Sequence, residues 1–95
     1  GAETKKLRPC AIIQGDLVNN QSRTLIVAPL LPNHKPWPFA VNLEPTQENG
    51  LDKARHINLK QLRAVDVSRM GKKQGRLENR YLQAIKNTLA VVFDL

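Results

Sequence analysis

A single cysteine, Cys10, rules out an internal disulfide and leaves neither a CxxC pair nor zinc-finger spacing. A reducing compartment suits such a chain. Aromatic residues make up only 4% of the 95 residues, so the core has to be built from Val, Ile, Leu and Ala. No apolar run approaches the ~20 residues of a membrane-spanning helix. Residues 1–20 also lack the charged start and apolar middle of a secretion signal, and a soluble, cytoplasmic protein with no membrane partner is expected. A chain this short makes one small domain, residues 1–95, burying about 60–65% of its unfolded surface; a multidomain enzyme is excluded. Acids are scarce as well, 8 against 15 Lys and Arg, for a net charge of +7. That balance favours a polyanionic partner, nucleic acid first.

The excess is local. Between residues 53 and 80, Lys53, Arg55, Lys60, Arg63, Arg69, Lys72, Lys73, Arg76 and Arg80 face only Asp66 and Glu78, and the rest of the chain is balanced. Such a concentration reads either as a solvated loop and strand edge or as a nucleic-acid groove.

Residues 7–14 are apolar on both alternating faces beyond their start and predict a central strand. Gly15–Ser22 is a polar turn cluster, in which Asn19 stabilises the turn. Arg23–Leu31 predicts a second buried strand, with Pro29 near an edge or the strand's end because it cannot donate to a ladder. Residues 32–38, PNHKPWP, form a loop stiffened by prolines. Phe39, Val41 and Leu43 alternate with Ala40, Asn42 and Glu44 as a half-exposed strand, and Gly50 marks the next turn. From His56 to Val67 the inward phase switches near Lys60 and Gln61, predicting a kink or bulge. Gly71–Gly75 is a basic turn. Leu82, Ile85, Leu89 and Val92 then form the apolar stripe of a helix, with Glu78 suiting the macrodipole at its start. A mainly β chain closed by one helix predicts a small open barrel or strongly curved sheet.

The strings GAETKKLRPCAIIQGDLVNN, RTLIVAPL, KPWPF and NGLDKARHINLKQLRAVD, followed by a basic turn and a terminal helix, resemble in collinear order the MazF/PemK type of toxin. The most specific pieces are Glu3 with Arg8 and Pro9, and Gln61 with Arg63 and Asp66. The resemblance implies an SH3-like, CcdB-related small barrel with a C-terminal helix. It also implies a homodimer that cuts single-stranded mRNA at short sequences without a metal or other cofactor, inhibited by an acidic, partly disordered, MazE-like antitoxin. The first strand and following loop of such toxins precede the position of Gly1, so that strand is expected to be absent from these residues.

Metal-independent RNA cleavage needs a base for the 2′-hydroxyl proton, a cation for the crowded phosphorane and an acid for the departing 5′-oxygen. The resemblance places catalysis on Arg8, whose guanidinium can hold two phosphate oxygens, and makes Glu3 a base or an orienter of Arg8. The plainer readings are a solvated arginine at a strand's start and a bare surface carboxylate. Leu31 stands where such toxins commonly carry a Thr or Ser, and it offers no donor. Histidine can serve as an acid or a base, but His34 and His56 match no catalytic position, which favours structural roles.

RNA binding is assigned to Lys35, Trp37, Phe39, Arg55, Gln61 and Arg63. Trp37 either stacks an unpaired base or packs under its own loop, and Gln61 can donate and accept on base edges. Cys10 reads as a small core residue. Two other functions stay open: a catalytically silent RNA-binding relative, and a CcdB-like, gyrase-directed toxin.

Overall fold

The branched, apolar run beginning at Arg23 forms the strand on which the rest of the sheet is assembled. The computed structural model describes residues 8–13, 15 and 23–95. Glu3, Asn19 and most of the expected Gly15–Ser22 turn lie outside the described residues. Among the described residues, five antiparallel strands, β1 (Cys10–Ile12), β2 (Thr24–Pro32), β3 (Ala40–Leu43), β4 (Arg55–Asn58) and β5 (Arg63–Asp66), precede one α-helix, α1 (Asn79–Val92). The sheet runs β1-β2-β4-β3, and β5 joins it through β2. This is the expected mainly β chain with a C-terminal helix, and the described sheet is open.

The centre of the sheet is β2, not β1. Among the described residues β1 pairs with β2 alone, so the expectation of a central strand over residues 7–14 is corrected. Ala11 enters the core while Ile12, on the alternate face of the strand, is 44% exposed.

Pro29 lies well inside β2, not near its end as expected. On the side away from β1, β2 pairs with β5 as far as Val27 and with β4 from Leu30 onward. Pro29 falls in the interval where the partners change, so its missing N–H interrupts neither ladder. The same change of partner accounts for the phase switch expected near Lys60 and Gln61. A short 3-10 turn, Leu59–Gln61, separates β4 from β5, and Asn58 caps it by accepting from the Lys60 N–H.

Val41, Leu43, Ile57 and Leu59 meet Ala28, Leu30 and the inner face of α1 in one core. Leu43 and Ile57 are fully buried, and each such side chain contributes roughly 1.5–3 kcal/mol relative to exposure. Three residues of the expected helix stripe, Ile85, Leu89 and Val92, pack on the core, and only its first position differs. Tyr81 and Ile85 are buried, whereas Leu82 is 38% exposed. Tyr81 carries a hydroxyl that accepts from the Glu44 N–H at 3.0 Å, so its ring can be buried with the polar end satisfied.

Gly50 has a φ of +66°, and a Cβ there would meet the Gln74 carbonyl oxygen at 2.2 Å. The Thr46–Gly50 turn therefore seats the irregular basic segment 70–78. Buried Asn49 holds this region together. Its Oδ1 accepts from the Thr46 and Leu51 N–H groups, and its Nδ2 donates to the Glu44 carbonyl and Glu78 Oε1.

Candidate nucleic-acid interface

Alternation along β2 sorts its residues between two faces. Ala28 and Leu30 point into the core, which leaves Pro29 and Leu31 on the other side. Leu31 pairs with His56 on β4, and His56 pairs with Asn42 on β3. Toward β1, Cys10 pairs with Pro29, and the Leu30 N–H donates to the Pro9 carbonyl at 3.1 Å. Continuing that register by one residue sets the exposed Arg8 beside Leu31. Arg8, Leu31, His56 and Asn42 thus form a row across one face.

The loop after β2 folds over this row. Asn33 reverses the chain with a φ of +69°, and its carbonyl accepts from His56 Nδ1 at 2.7 Å. Lys35 and Asn42 exchange two hydrogen bonds, of 2.9 and 3.0 Å. His34 Nε2 lies 2.9 Å from the Leu43 carbonyl and 3.3 Å from Glu44 Oε1, while the Trp37 carbonyl accepts from the Ala40 N–H. Pro32, Pro36 and Pro38 lower the entropy cost of holding this shape.

The loop presents an aromatic platform. Trp37 stacks on Phe39 with centroids 5.2 Å apart and meets His56 edge-on at 5.5 Å. Lys35 Nζ sits 5.2 Å from the indole centroid, and Lys60 Nζ 5.0 Å from the Phe39 centroid. The sequence of groups is cation, indole, phenyl, cation. Trp37 is 39% exposed, so it packs on its neighbours and still offers surface to a base. Beyond Phe39 an open groove of about 240 Å³ is lined by Pro38, Phe39, Lys60, Val91 and Val92.

The structure gathers Lys35, Trp37 and Phe39 into one cluster, with Gln61 exposed on the 3-10 turn after Lys60 and Arg63 exposed on β5. Arg55 is different. Its side chain is only 13% exposed, bridged to Asp52 at 3.2 Å and donating to the Leu30 carbonyl at 3.2 Å. These bonds hold the Arg55 guanidinium against the fold. Glu3 lies outside the described residues. Two members of the cluster, His56 and Lys60, were not among the expected site residues. Their only sequence signal is position: His56 is one strand across from Leu31, and Lys60 precedes Gln61.

Charge shifts follow from local bonds. Hydrogen bonding to Arg55 lowers the Asp52 carboxyl, and bonding to Ser68 lowers Asp66. Desolvation raises Glu78, but hydrogen bonds with Thr46, its own N–H and Asn49, together with Arg80, outweigh it and bring it below the usual value. Burial pushes the Cys10 thiol up, opposed by the charge of Arg63. Half-buried, Cys10 sits at the margin of the core. Among the described residues, no group of three or more His, Cys, Asp and Glu side chains is placed to hold a metal ion, and no helix is long and apolar enough to cross a membrane.

An open antiparallel sheet, one packed C-terminal helix and a cationic aromatic face define the class: a small basic β protein of the toxin fold. The chain belongs to the PemK-like, MazF-like toxins of type II toxin–antitoxin systems, whose family model matches residues 1–93. It is 32% identical to the endoribonuclease MazF of Staphylococcus saprophyticus over 97 aligned positions, covering 100% of this chain and 80% of that protein. Its fold matches the Mycobacterium tuberculosis toxin MazF-mt6 with a TM-score of 0.82 at 22% identity, over 93% of this chain and 87% of that one. A MazE–MazF complex from Deinococcus radiodurans gives a TM-score of 0.74 at 19% identity, covering 93% and 83% of the two chains.

Proposed function

We propose that this toxin is an endoribonuclease that cuts single-stranded mRNA at short sequences without a metal ion, and that an acidic MazE-like antitoxin silences it. The observation carrying this reading is the face on which exposed Arg8 lies in one row with the loop bearing Lys35, Trp37 and Phe39. An unpaired base stacks on the Trp37 indole, lysines at either end of the platform take the flanking phosphates, and Arg8 holds the charge that develops on the scissile phosphate. Glu3, five residues before Arg8, is proposed as base or orienter. Gln61 and Arg63 extend the contact along the strand. The name of the Staphylococcus saprophyticus relative supports the reaction, and the complex from Deinococcus radiodurans supports the antitoxin. The domain spans residues 1–95 and works in the cytoplasm as a homodimer, as such toxins are expected to do.

A second reading, RNA binding without cleavage, is favoured by Leu31. This apolar side chain stands in the row next to Arg8 and has nothing to donate to a phosphate. One experiment separates the two. A long single-stranded RNA is incubated with the protein in EDTA and the ends are mapped. Cuts at one short motif, leaving cyclic phosphate and 5′-hydroxyl ends, are expected. Intact RNA that is nevertheless bound would select the silent reading.

A further inference from the structure

His56 is 2% exposed, and its Nε2 is the only buried side-chain nitrogen or oxygen among the described residues without a hydrogen-bond partner. Its other nitrogen, Nδ1, lies 2.7 Å from the Asn33 carbonyl. A carbonyl only accepts, so Nδ1 is the donor in that bond, and the tautomer that fits it leaves a lone pair at Nε2. Native proteins rarely leave such an atom unsatisfied, and the exceptions often lie at catalytic sites.

Three observations place His56 at the proposed cleavage face. His56 pairs with Leu31, and the same register sets Arg8 beside Leu31 on the opposite strand. With strands ~4.8 Å apart, the backbones of Arg8 and His56 are about 10 Å from each other across Leu31. A phosphodiester lying over Leu31 is then within reach of both side chains. The third observation is Trp37, whose ring meets the imidazole edge-on at 5.5 Å. The indole offered to a base is also the side chain that covers His56.

Resting on the nuclease reading above, with Glu3 taken as the orienter of Arg8, we propose that His56 is the general base of RNA cleavage and that base stacking on Trp37 uncovers it. Nε2 takes the 2′-hydroxyl proton as the 2′-oxygen forms its bond to phosphorus. The bond from phosphorus to the 5′-oxygen breaks, and that oxygen takes a proton from solvent water. The imidazolium returns its proton to solvent, while the Nδ1–H bond to Asn33 holds the ring in orientation throughout. Arg8 carries the added charge on the phosphoryl oxygens. No atom is gained or lost beyond the exchanged protons, and the products are a 2′,3′-cyclic phosphate and a 5′-hydroxyl.

His56→Asn tests this directly, because the asparagine amide can keep the Nδ1-type donation to Asn33 but has no basic lone pair. Fold is followed by circular dichroism, RNA affinity by titration and cleavage by single-turnover rate on the same RNA. Expected is unchanged folding, near-parental affinity and a rate about 10²–10⁴-fold lower. In His56→Ala, added imidazole should restore part of the rate, a result that a purely structural histidine would not give. Cleavage by His56→Asn at the parental rate overturns the proposal and leaves the nuclease reading standing. Intact RNA with the parental protein overturns both. If His56→Asn does not fold, His56→Gln carries the same comparison, since its amide also lacks a basic lone pair.

Discussion

In the proposed nuclease, Arg8 serves the chemistry and Trp37 the binding. Arg8 is exposed at the end of the β1 register, so its loss should leave the core intact. Arg8→Ala is expected to keep its melting temperature and to cut RNA about 10²–10³-fold more slowly, the usual loss for one charge-stabilising donor. A parental rate would remove Arg8 from the mechanism. Trp37→Ala should weaken binding by roughly 1–3 kcal/mol, alike for RNAs of different sequence, because every base has a face to stack. Unchanged affinity in filter binding would confine Trp37 to packing against Phe39 and His56. Both residues were marked out as candidates in the sequence by their neighbours, Pro9 in one case and the proline-rich loop in the other. His56 was not, because a histidine in an apolar strand reads as a structural residue. Its unpaired nitrogen exists only once Asn33 and Trp37 have folded around it.

At the scale of elements, the turn at Gly50 and the start of α1 hold the basic segment to the sheet. Gly50→Ala combines a left-handed φ with a clash against the Gln74 carbonyl. The backbone conformation alone costs about 1–2 kcal/mol, and for a domain of this size each kcal/mol lowers Tm by about 4–8 °C. A calorimetric melt at the parental temperature would mean that the turn rearranges without penalty. Glu78 links the same region to pH. Its folded-state value is lowered, so its contribution is present above the ordinary glutamate value, about 4.3, and is lost as pH falls through the folded value. Denaturant midpoints of Glu78→Gln should therefore fall less steeply below about pH 4 than those of the parent. Parallel profiles would show that Glu78 is equally acidic in both states. The strands and helix were legible because their apolar periods of two and near four are local properties. The inward position of Tyr81 in place of Leu82 was not, since it depends on a hydrogen bond to Glu44, 37 positions away.

At the scale of the whole molecule, the charge bears on the proposed RNA binding. The excess of +7 falls within residues 53–80, and Lys72, Lys73 and Arg76 lie exposed on the irregular segment before α1. If that segment follows the RNA backbone, each phosphate contact contributes about −0.7 to the slope of log affinity against log salt. The double variant Lys72→Ala, Lys73→Ala should then have a slope shallower by about 1.4, with unchanged sequence preference. An identical slope would place the RNA elsewhere.

The sequence by itself determined the class of fold, the surplus of positive charge and the identity of the proline-stiffened loop, because hydrophobic period, composition and turn chemistry act over a few neighbouring residues. Tertiary structure alone decided that β2 and not β1 is central, that Arg55 faces Asp52 and Leu30 instead of solvent, and that Lys60 and His56 join Trp37 and Phe39. Those outcomes depend on which strands pair and in what register. A register joins residues far apart in the chain, and it is settled by burial of the common core.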